Sequence, residues 1–481
     1  MIRSATIIKI LGLLLIFTGL FMLIPAAIAL HYAEGDAPAL IISSLLSIAV
    51  GFAAFKLTSI TGDISPKEGF AIVAFGWLVV VVFGSLPPYL SGAIPSYIDC
   101  FFETMSGFTT TGASILTDIE SIPKGILFWR SLTHWLGGMG IILLSLAILP
   151  ILGIGGMQLY KAEVPGPTSD KLSPRIRETA RILWYVYLIF TAIEIALLKI
   201  GGMTLFDAAC HTFGTMATGG FATKNSSIGH YNSTYFDTVI IIFMFIAGTN
   251  FSLHYKALRG NPGAYLKDQE FRFYSVLFII ISGIVIVDVL IQTGSSAGTA
   301  IRHAVFQVVS IGTTTGYGTA DYEQWSAVSQ FLLFLLMFIG GCAGSTGGGM
   351  KIMRLMLLLK YAVTEVKKAF HPDAVIPVRF NEQSVPQDVL TKILGFFLLF
   401  ILLFVISTII MTMLGLDFMT AIGSVAANIG NIGPGLGEVG PTDNYAAIPT
   451  AGKILLSILM LIGRLEVFTV VVLFHPSFWK K

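Results

Sequence analysis

Four short stretches of this chain are rich in glycine and threonine and contain no Asp or Glu: SGFTTTGAS at Ser106–Ser114, TMATGGFAT at Thr215–Thr223, SIGTTTGYGT at Ser310–Thr319 and NIGNIGPGLG at Asn428–Gly437. Glycine, lacking a Cβ, opens backbone conformations that let carbonyl groups turn towards a common axis. Threonine adds hydroxyl oxygens without charge. Rings of such oxygens can replace the hydration shell of a monovalent cation, whereas a divalent-selective filter would normally add a ring of carboxylates. The chemistry suggested is passage of dehydrated K⁺ or Na⁺. Aligning Gly112, Gly219, Gly316 and Gly433 gives an internal repeat of roughly a hundred residues, far longer than a solenoid unit. One chain thus supplies four similar units that could surround one axis.

The elements that must hold these stretches are membrane helices. The 481 residues are 55% hydrophobic and 12% charged with a mean hydropathy of +0.83, a balance that a water-soluble chain of this length could not carry without large exposed apolar patches. Reading about 20 apolar residues as one span places ten spans: residues 5–30, 38–57, 69–88, 125–151, 181–200, 233–255, 271–292, 327–360, 388–413 and 451–474. The first two fall outside the repeat. Inside each repeat a shorter, less apolar stretch lies between the two helices: Tyr97–Thr109, Met203–Met216, Gly298–Thr313 and Leu416–Gly430. Each is too short to span and should dip in and return, which is tolerated at membrane depth only where the backbone is buried in protein or lines a wet cavity. Basic residues concentrate at the start of the chain and in the loops 161–181, 256–272 and 351–392, so these loops and both termini are expected on the cytoplasmic side. Cys100, Cys210 and Cys342 show no disulfide or metal spacing and read as packing residues.

Several motifs then resemble a known family, the Trk/Ktr/HKT superfamily of potassium transporters, and within it the bacterial TrkH/TrkG-type membrane subunit. They are TTTGA at Thr109–Ala113, WLGGMGI at Trp135–Ile141, LPILGIGGMQLYKAEVPGP at Leu149–Pro167, FIGGCAGSTGGGMK at Phe338–Lys351, NIGPGLGEVGP at Asn431–Pro441 and GRLEVFT at Gly463–Thr469. The resemblance implies an all-α membrane fold of four tandem helix–pore-loop–helix repeats, like those of potassium channels, around one pore, plus two extra N-terminal helices. The expected units are an N-terminal helix pair at 1–65 and pore repeats at 66–165, 166–262, 263–380 and 381–481. It also implies one filter glycine per repeat: Gly112, Gly219, Gly316 and Gly433, with Thr110, Thr111, Thr218, Thr315 and Ile432 just before them, holding K⁺ as the permeant ion. Only the third loop keeps Thr315, Gly316, Tyr317 and Gly318 in an order comparable with TVGYG.

The span at 327–360 is too long for one straight crossing and is interrupted by GGCAGSTGGG at Gly340–Gly349. Each glycine costs a helix about 1 kcal/mol relative to alanine, so the helix should break into a flexible loop beneath the filter. The resemblance makes this an intramembrane gate of Gly340, Gly341, Gly344, Ser345, Thr346, Gly347, Gly348 and Gly349, with Lys351 at its inner end; the other reading is a helix-packing site of small residues. Arg464 lies inside the last span. An intramembrane charge marks a functional site by default, here a cation below the filter that would repel permeating ions; the other reading is an ion pair with Glu466 or with another helix. His134, His211, His254 and His303 share no ligand spacing and read as hydrogen-bonding groups. Trp129, Trp135 and Trp184 read as interfacial anchors, and Asp99, Asp207 and Asp417 as helix caps.

No nucleotide-binding motif stands after a strand, and paired ligands for a haem or metal enzyme are missing, so the chain reads as a transporter and not an enzyme. The resemblance implies a homodimer in the bacterial inner membrane, docked on a cytosolic ring of TrkA-type RCK subunits that bind ATP/ADP or NAD(H). The loops 161–181 and 363–379 are docking surfaces on that expectation. No nucleic-acid partner is expected, and lipid surrounds the helices. The alternative mechanism is coupled Na⁺/K⁺ or H⁺/K⁺ symport, for which the acids inside spans are Glu194, Asp288 and Glu466.

Overall fold

The computed structural model describes residues 3–59, 64–138, 140, 176–381 and 383–479. The motifs at Leu149–Pro167 and at the end of Trp135–Ile141, and the basic loop from 161 to 175, lie outside the described residues. Helices α1 (Ser4–Tyr32) and α2 (Ala37–Leu57) form a hairpin. Gly12 and Gly51 let their backbones meet: a Cβ on Gly12 would fall 2.6 Å from the Gly51 carbonyl oxygen, the small-residue contact typical of membrane helices. Next come α3 (Pro66–Gly84), α4 (Tyr97–Phe108) and α5 (Lys124–Gly138). The α1–α2 turn docks on α5, since Glu34 accepts from Lys124 N at 2.6 Å and Asp36 from Ile126 N at 3.0 Å. Two carboxylates thereby satisfy the orphan N–H groups at that helix start.

The second unit comprises α6 (Ile176–Ile200), α7 (Leu205–Met216), α8 (Thr234–Ala247) and α9 (Phe251–Leu258). The third comprises α10 (Gln269–Thr293), α11 (Ala297–Gly312), α12 (Ala327–Leu336) and α13 (Ile352–Phe370). A two-stranded hairpin follows, β1 (Arg379–Phe380) and β2 (Gln383–Ser384). The fourth unit comprises α14 (Gln387–Met413), α15 (Phe418–Ile429), α16 (Thr450–Arg464) and α17 (Phe468–Phe474).

Among the described residues, six helices are long and apolar enough to cross a membrane, and two bent pairs raise this to eight. The pairs are α8–α9, bent by 103°, and α16–α17, bent by 114°. Of the ten expected spans, that at 125–151 runs into undescribed residues, and that at 327–360 is split between α12 and α13. Outward-facing apolar side chains such as Leu45, Ile279, Ile291 and Leu398 are exposed, as lipid-facing residues must be.

The short helices α4, α7, α11 and α15 match the four expected re-entrant stretches. Ser96, Thr204, Ser296 and Asp417 accept hydrogen bonds at their N-caps. Of the three aspartates read as caps, only Asp417 is one. Asp99 lies inside the first turn and pairs with Lys453 at 2.7 Å, while Asp207 accepts from the Thr223 hydroxyl at 2.6 Å. Trp129 is not an interfacial anchor: it is 2% exposed, and its indole donates to Gly84 O at 2.9 Å. The three cysteines are free and buried.

Candidate functional site

Each of these four short helices ends in the same way. The residue after its C-cap adopts the left-handed conformation: Thr110 (φ 53°), Thr218 (φ 53°), Thr314 (φ 63°) and Asn431 (φ 55°). The next amide then donates to the carbonyl five residues back, Thr111 to Ser106, Gly219 to Gly214, Thr315 to Ser310 and Ile432 to Ala427, at 2.8–2.9 Å. This is the Schellman helix end, where glycine is the usual left-handed residue. Threonine there is strained by its branched side chain. Two residues beyond the strained one, φ turns positive again at Gly112 (85°), Gly220 (76°), Gly316 (83°) and Gly433 (98°).

The pattern fixes the backbone register of the second stretch. The residue equivalent to Gly112, Gly316 and Gly433 is Gly220, not Gly219, which occupies the place of Thr111, Thr315 and Ile432. In the third loop the strained residue is Thr314, and in the fourth Asn431; neither stood among the expected site residues. The sequence signal was the bare Gly-Gly pair at 219–220, where either residue satisfied the alignment.

The four loops close on one another in chain order. A Cβ on Gly112 would strike the Gly219 carbonyl oxygen, one on Gly220 that of Thr315, and one on Gly316 that of Ile432. A Cβ on Gly433 would come within 2.8 Å of the Thr111 carbonyl oxygen. Four backbone segments therefore meet in a ring too tight for side chains. The helix C-termini that lead into it bring the negative ends of their dipoles to the same place, and among the described residues no carboxylate does so.

The glycine-rich loop between α12 and α13 lies against this ring. The Gly348 amide donates to the Thr314 hydroxyl at 2.8 Å, and the Thr346 hydroxyl lies 3.5 Å from that of Thr218. A Cβ on Gly348 would fall 2.6 Å from Asn431 Cβ. The loop is tied down on every side. Cys342 N donates to Gly248 O at 2.8 Å and Phe251 N to Gly344 O at 3.0 Å, so the loop fills the break between α8 and α9. The Thr346 hydroxyl donates to Met216 O at 3.0 Å and to Ala247 O at 3.1 Å. Lys351 is 3% exposed, and its ammonium donates to the Gly347 carbonyl. Glu270, at the start of α10, accepts from Ala343 N at 2.7 Å and from Met353 N at 2.9 Å. One carboxylate oxygen thus ties the first half of the loop to the start of α13, a role that sequence signalled only by an acid opening an apolar span.

Arg464 does not sit within a continuous helix; it ends α16 at the sharp bend. Its guanidinium donates to Thr346 O at 2.7 Å and to Gly137 O and Gly138 O at 2.7 and 3.1 Å. Glu466 pairs with Arg354, and Asp288 accepts from the hydroxyls of Ser326 and Ser329. The histidines serve as hydrogen-bonding groups: His134 with Gly107 O, His211 with Tyr231, His254 with Ile246 O and Tyr265, and His303 with Thr319.

Apolar helices bent and interrupted around a ring of backbone define a polytopic helical membrane protein. Comparison then places it. The sequence matches the TrkH family, cation transport protein, over residues 38–481. The chain is 43% identical to the Trk system potassium uptake protein TrkH of Halomonas elongata, over 99% of each chain, and 42% identical to TrkH of Escherichia coli K12, over 98% of this chain and 99% of that one. The crystal structure of the potassium transporter TrkH from Vibrio parahaemolyticus matches with a TM-score of 0.90 at 37% identity, covering 99% of this chain and 100% of that one. The chain belongs to the TrkH family.

Proposed function

We propose that this chain takes up potassium through a filter of backbone carbonyls, one segment from each of four repeats around a single pore. The filter comprises Thr110–Gly112, Thr218–Gly220, Thr314–Gly316 and Asn431–Gly433. The observation that carries this reading is the closed ring of loop-to-loop contacts, because carbonyl oxygens fixed at ion-coordinating spacing replace a hydration shell without needing charge. The relatives named Trk system potassium uptake proteins supply the ion. The repeats run from about 66–165, 166–262, 263–380 and 381–481, preceded by the helix pair at 1–65.

The loop from Gly340 to Gly349, with Lys351 and Arg464, is the gate. In the arrangement described it lies against the inner residue of three filter segments, and a guanidinium fixed beneath a cation path raises the electrostatic barrier to permeation. Opening requires the loop to leave Thr218, Thr314 and Asn431 while its ends stay anchored. As in the family resemblance, the working assembly is a homodimer in the bacterial inner membrane with both termini cytoplasmic. It is controlled by a cytosolic TrkA-type nucleotide-binding subunit, with the cytoplasmic stretch 363–379 among the docking surfaces.

Coupled symport is the second reading, and Glu194 keeps it open: this acid is fully buried in α6 beside Thr215. One experiment separates the two. Reversal potentials are measured in liposomes under K⁺/Na⁺ gradients at two pH values, for wild type and Gly316→Ser. Reversal that follows the K⁺ gradient, ignores pH and loses K⁺ preference in the variant supports the filter. An offset fixed by pH or by a Na⁺ ratio establishes symport.

A further inference from the structure

Each junction between neighbouring loops is braced just outside the ring, and the braces differ in chemistry. Between loops two and three, the Tyr317 hydroxyl donates to His211 O at 2.8 Å and to Phe221 O at 3.3 Å. Between three and four, the Tyr322 hydroxyl donates to Gly435 O at 2.6 Å. Between four and one, Tyr445 N donates to Ser114 O at 2.8 Å while its hydroxyl donates to Gly433 O at 2.7 Å. Loop one has Ala113 where loop three has Tyr317, and its junction with loop two is held by an ion pair instead.

That pair is Glu103 of α4 and Arg130 of α5, joined at 2.6 Å with side chains 5% and 7% exposed. The Glu103 carboxylate also accepts from the Ser114 hydroxyl and from Ile115 N, both at 2.9 Å, so it grips the outgoing strand of loop one. Arg130 donates to Ala222 O at 2.9 Å, and its guanidinium lies 3.5 Å over the Phe221 ring, so it grips the outgoing strand of loop two. The adjoining cavity, lined by Trp129, Thr133 and Leu116 among others, holds about 20 Å³, room for roughly one water molecule. Bulk water does not screen the pair. Other ion pairs join neighbouring units further from the ring, Lys453 with Asp99 and Arg302 with Asp237.

We propose that Glu103 and Arg130 are positioning residues for ion discrimination: together they fix the spacing of the first and second filter segments and so set the preference for K⁺ over Na⁺. The proposal rests on the filter reading above. Discrimination by carbonyls depends on cavity size or on the number and field strength of the oxygens, and both change if two of four segments drift apart. Arginine suits the task because its planar fork serves Glu103 and Ala222 at once while stacking on Phe221, which a lysine ammonium cannot do.

The test is the K⁺/Na⁺ permeability ratio, from bi-ionic reversal potentials of the full-length protein in liposomes, for Glu103→Gln, Arg130→Lys and Ser114→Ala. Glu103→Gln keeps the shape and an acceptor but removes the charge; Arg130→Lys keeps the charge but not the fork. Each is expected to lower the ratio roughly fivefold or more, the lower range for coupling between a remote group and a binding site. Ser114→Ala removes the hydroxyl's bonds to Glu103 and from Leu116 N, leaves the ion pair intact, and is expected to shift the ratio in the same direction by a smaller factor. A loss of folding alone would reduce the amount of active protein without moving a reversal potential. Wild-type ratios in all three variants, or in Ser114→Ala and whichever other variant reaches the membrane, overturn the proposal. A wild-type protein whose reversal shows fixed coupling would instead sink the filter reading, independently of the variants.

Discussion

The Arg464 guanidinium donates to the Thr346 carbonyl at 2.7 Å, which joins the end of α16 to the middle of the glycine-rich loop. Through its other nitrogen the same side chain reaches the carbonyls of Gly137 and Gly138. One residue therefore ties the first, third and fourth units together directly beneath the ring. Hydrogen bonds to a charged group contribute about 1.5–3 kcal/mol each, enough to hold the loop in place.

Arg464→Gln should open the path. Losing a charged donor to the loop is expected to shift the closed–open balance by about tenfold, which is 1.4 kcal/mol, and to remove the repulsion of permeating cations. Resting K⁺ or Rb⁺ uptake into proteoliposomes without a cytosolic partner would rise accordingly; an unchanged resting flux would show that Arg464 is a packing residue.

Glu270→Ala frees the amides of Ala343, within the loop, and Met353, in the first turn of α13. Resting flux should rise several-fold, since a buried donor left unpaired costs about 1–3 kcal/mol, while the K⁺/Na⁺ reversal potential stays at its wild-type value. Glu270→Gln retains an acceptor oxygen and should give a smaller rise. A change in selectivity instead of flux would place Glu270 with the filter and not the gate.

Gly220→Ala and Gly219→Ala distinguish the two registers of the second loop. At Gly220 the backbone is left-handed and the added carbon meets the Thr315 carbonyl, a backbone obstacle that cannot move without distorting the ring. At Gly219 the nearest atoms belong to the buried His134 ring, 2.6 Å away, so the added carbon strains a side chain and not the backbone of the next loop. Reversal potentials should show ion discrimination lost in Gly220→Ala and largely kept in Gly219→Ala; the reverse order would restore the register expected from sequence.

Glu323 lies outside the spans, where it accepts from Gly437 N at 2.7 Å. Burial pushes its carboxyl above the usual range, against the lowering effect of that amide. An acid raised in the folded state disfavours its own charged form, so stability falls as pH rises through the window above its unfolded value. Glu323→Gln keeps an acceptor but cannot titrate. Thermal melting between pH 4 and 7 should therefore show a declining slope in wild type that is absent, or shallower, in the variant.

The sequence by itself determined the membrane class, the four glycine–threonine stretches, the short helices before them and the break at Gly340–Gly349. All of these are local: apolar length, glycine density and helix-start residues act within a few turns of chain. Local pattern could not choose between Gly219 and Gly220, because both are glycine and only the helix-end hydrogen bonds, from Thr218 N to Thr215 O and Gly219 N to Gly214 O, fix which residue turns left-handed. Nor could it find the partner of Glu466, since Arg464 was the nearest cation in sequence but Arg354 of another helix pairs with it. The tie that Glu270 makes between the loop and α13, and the Glu103–Arg130 brace, were likewise illegible. Each depends on groups far apart in the chain, and a desolvated charge takes whatever partner the packed helices bring within reach.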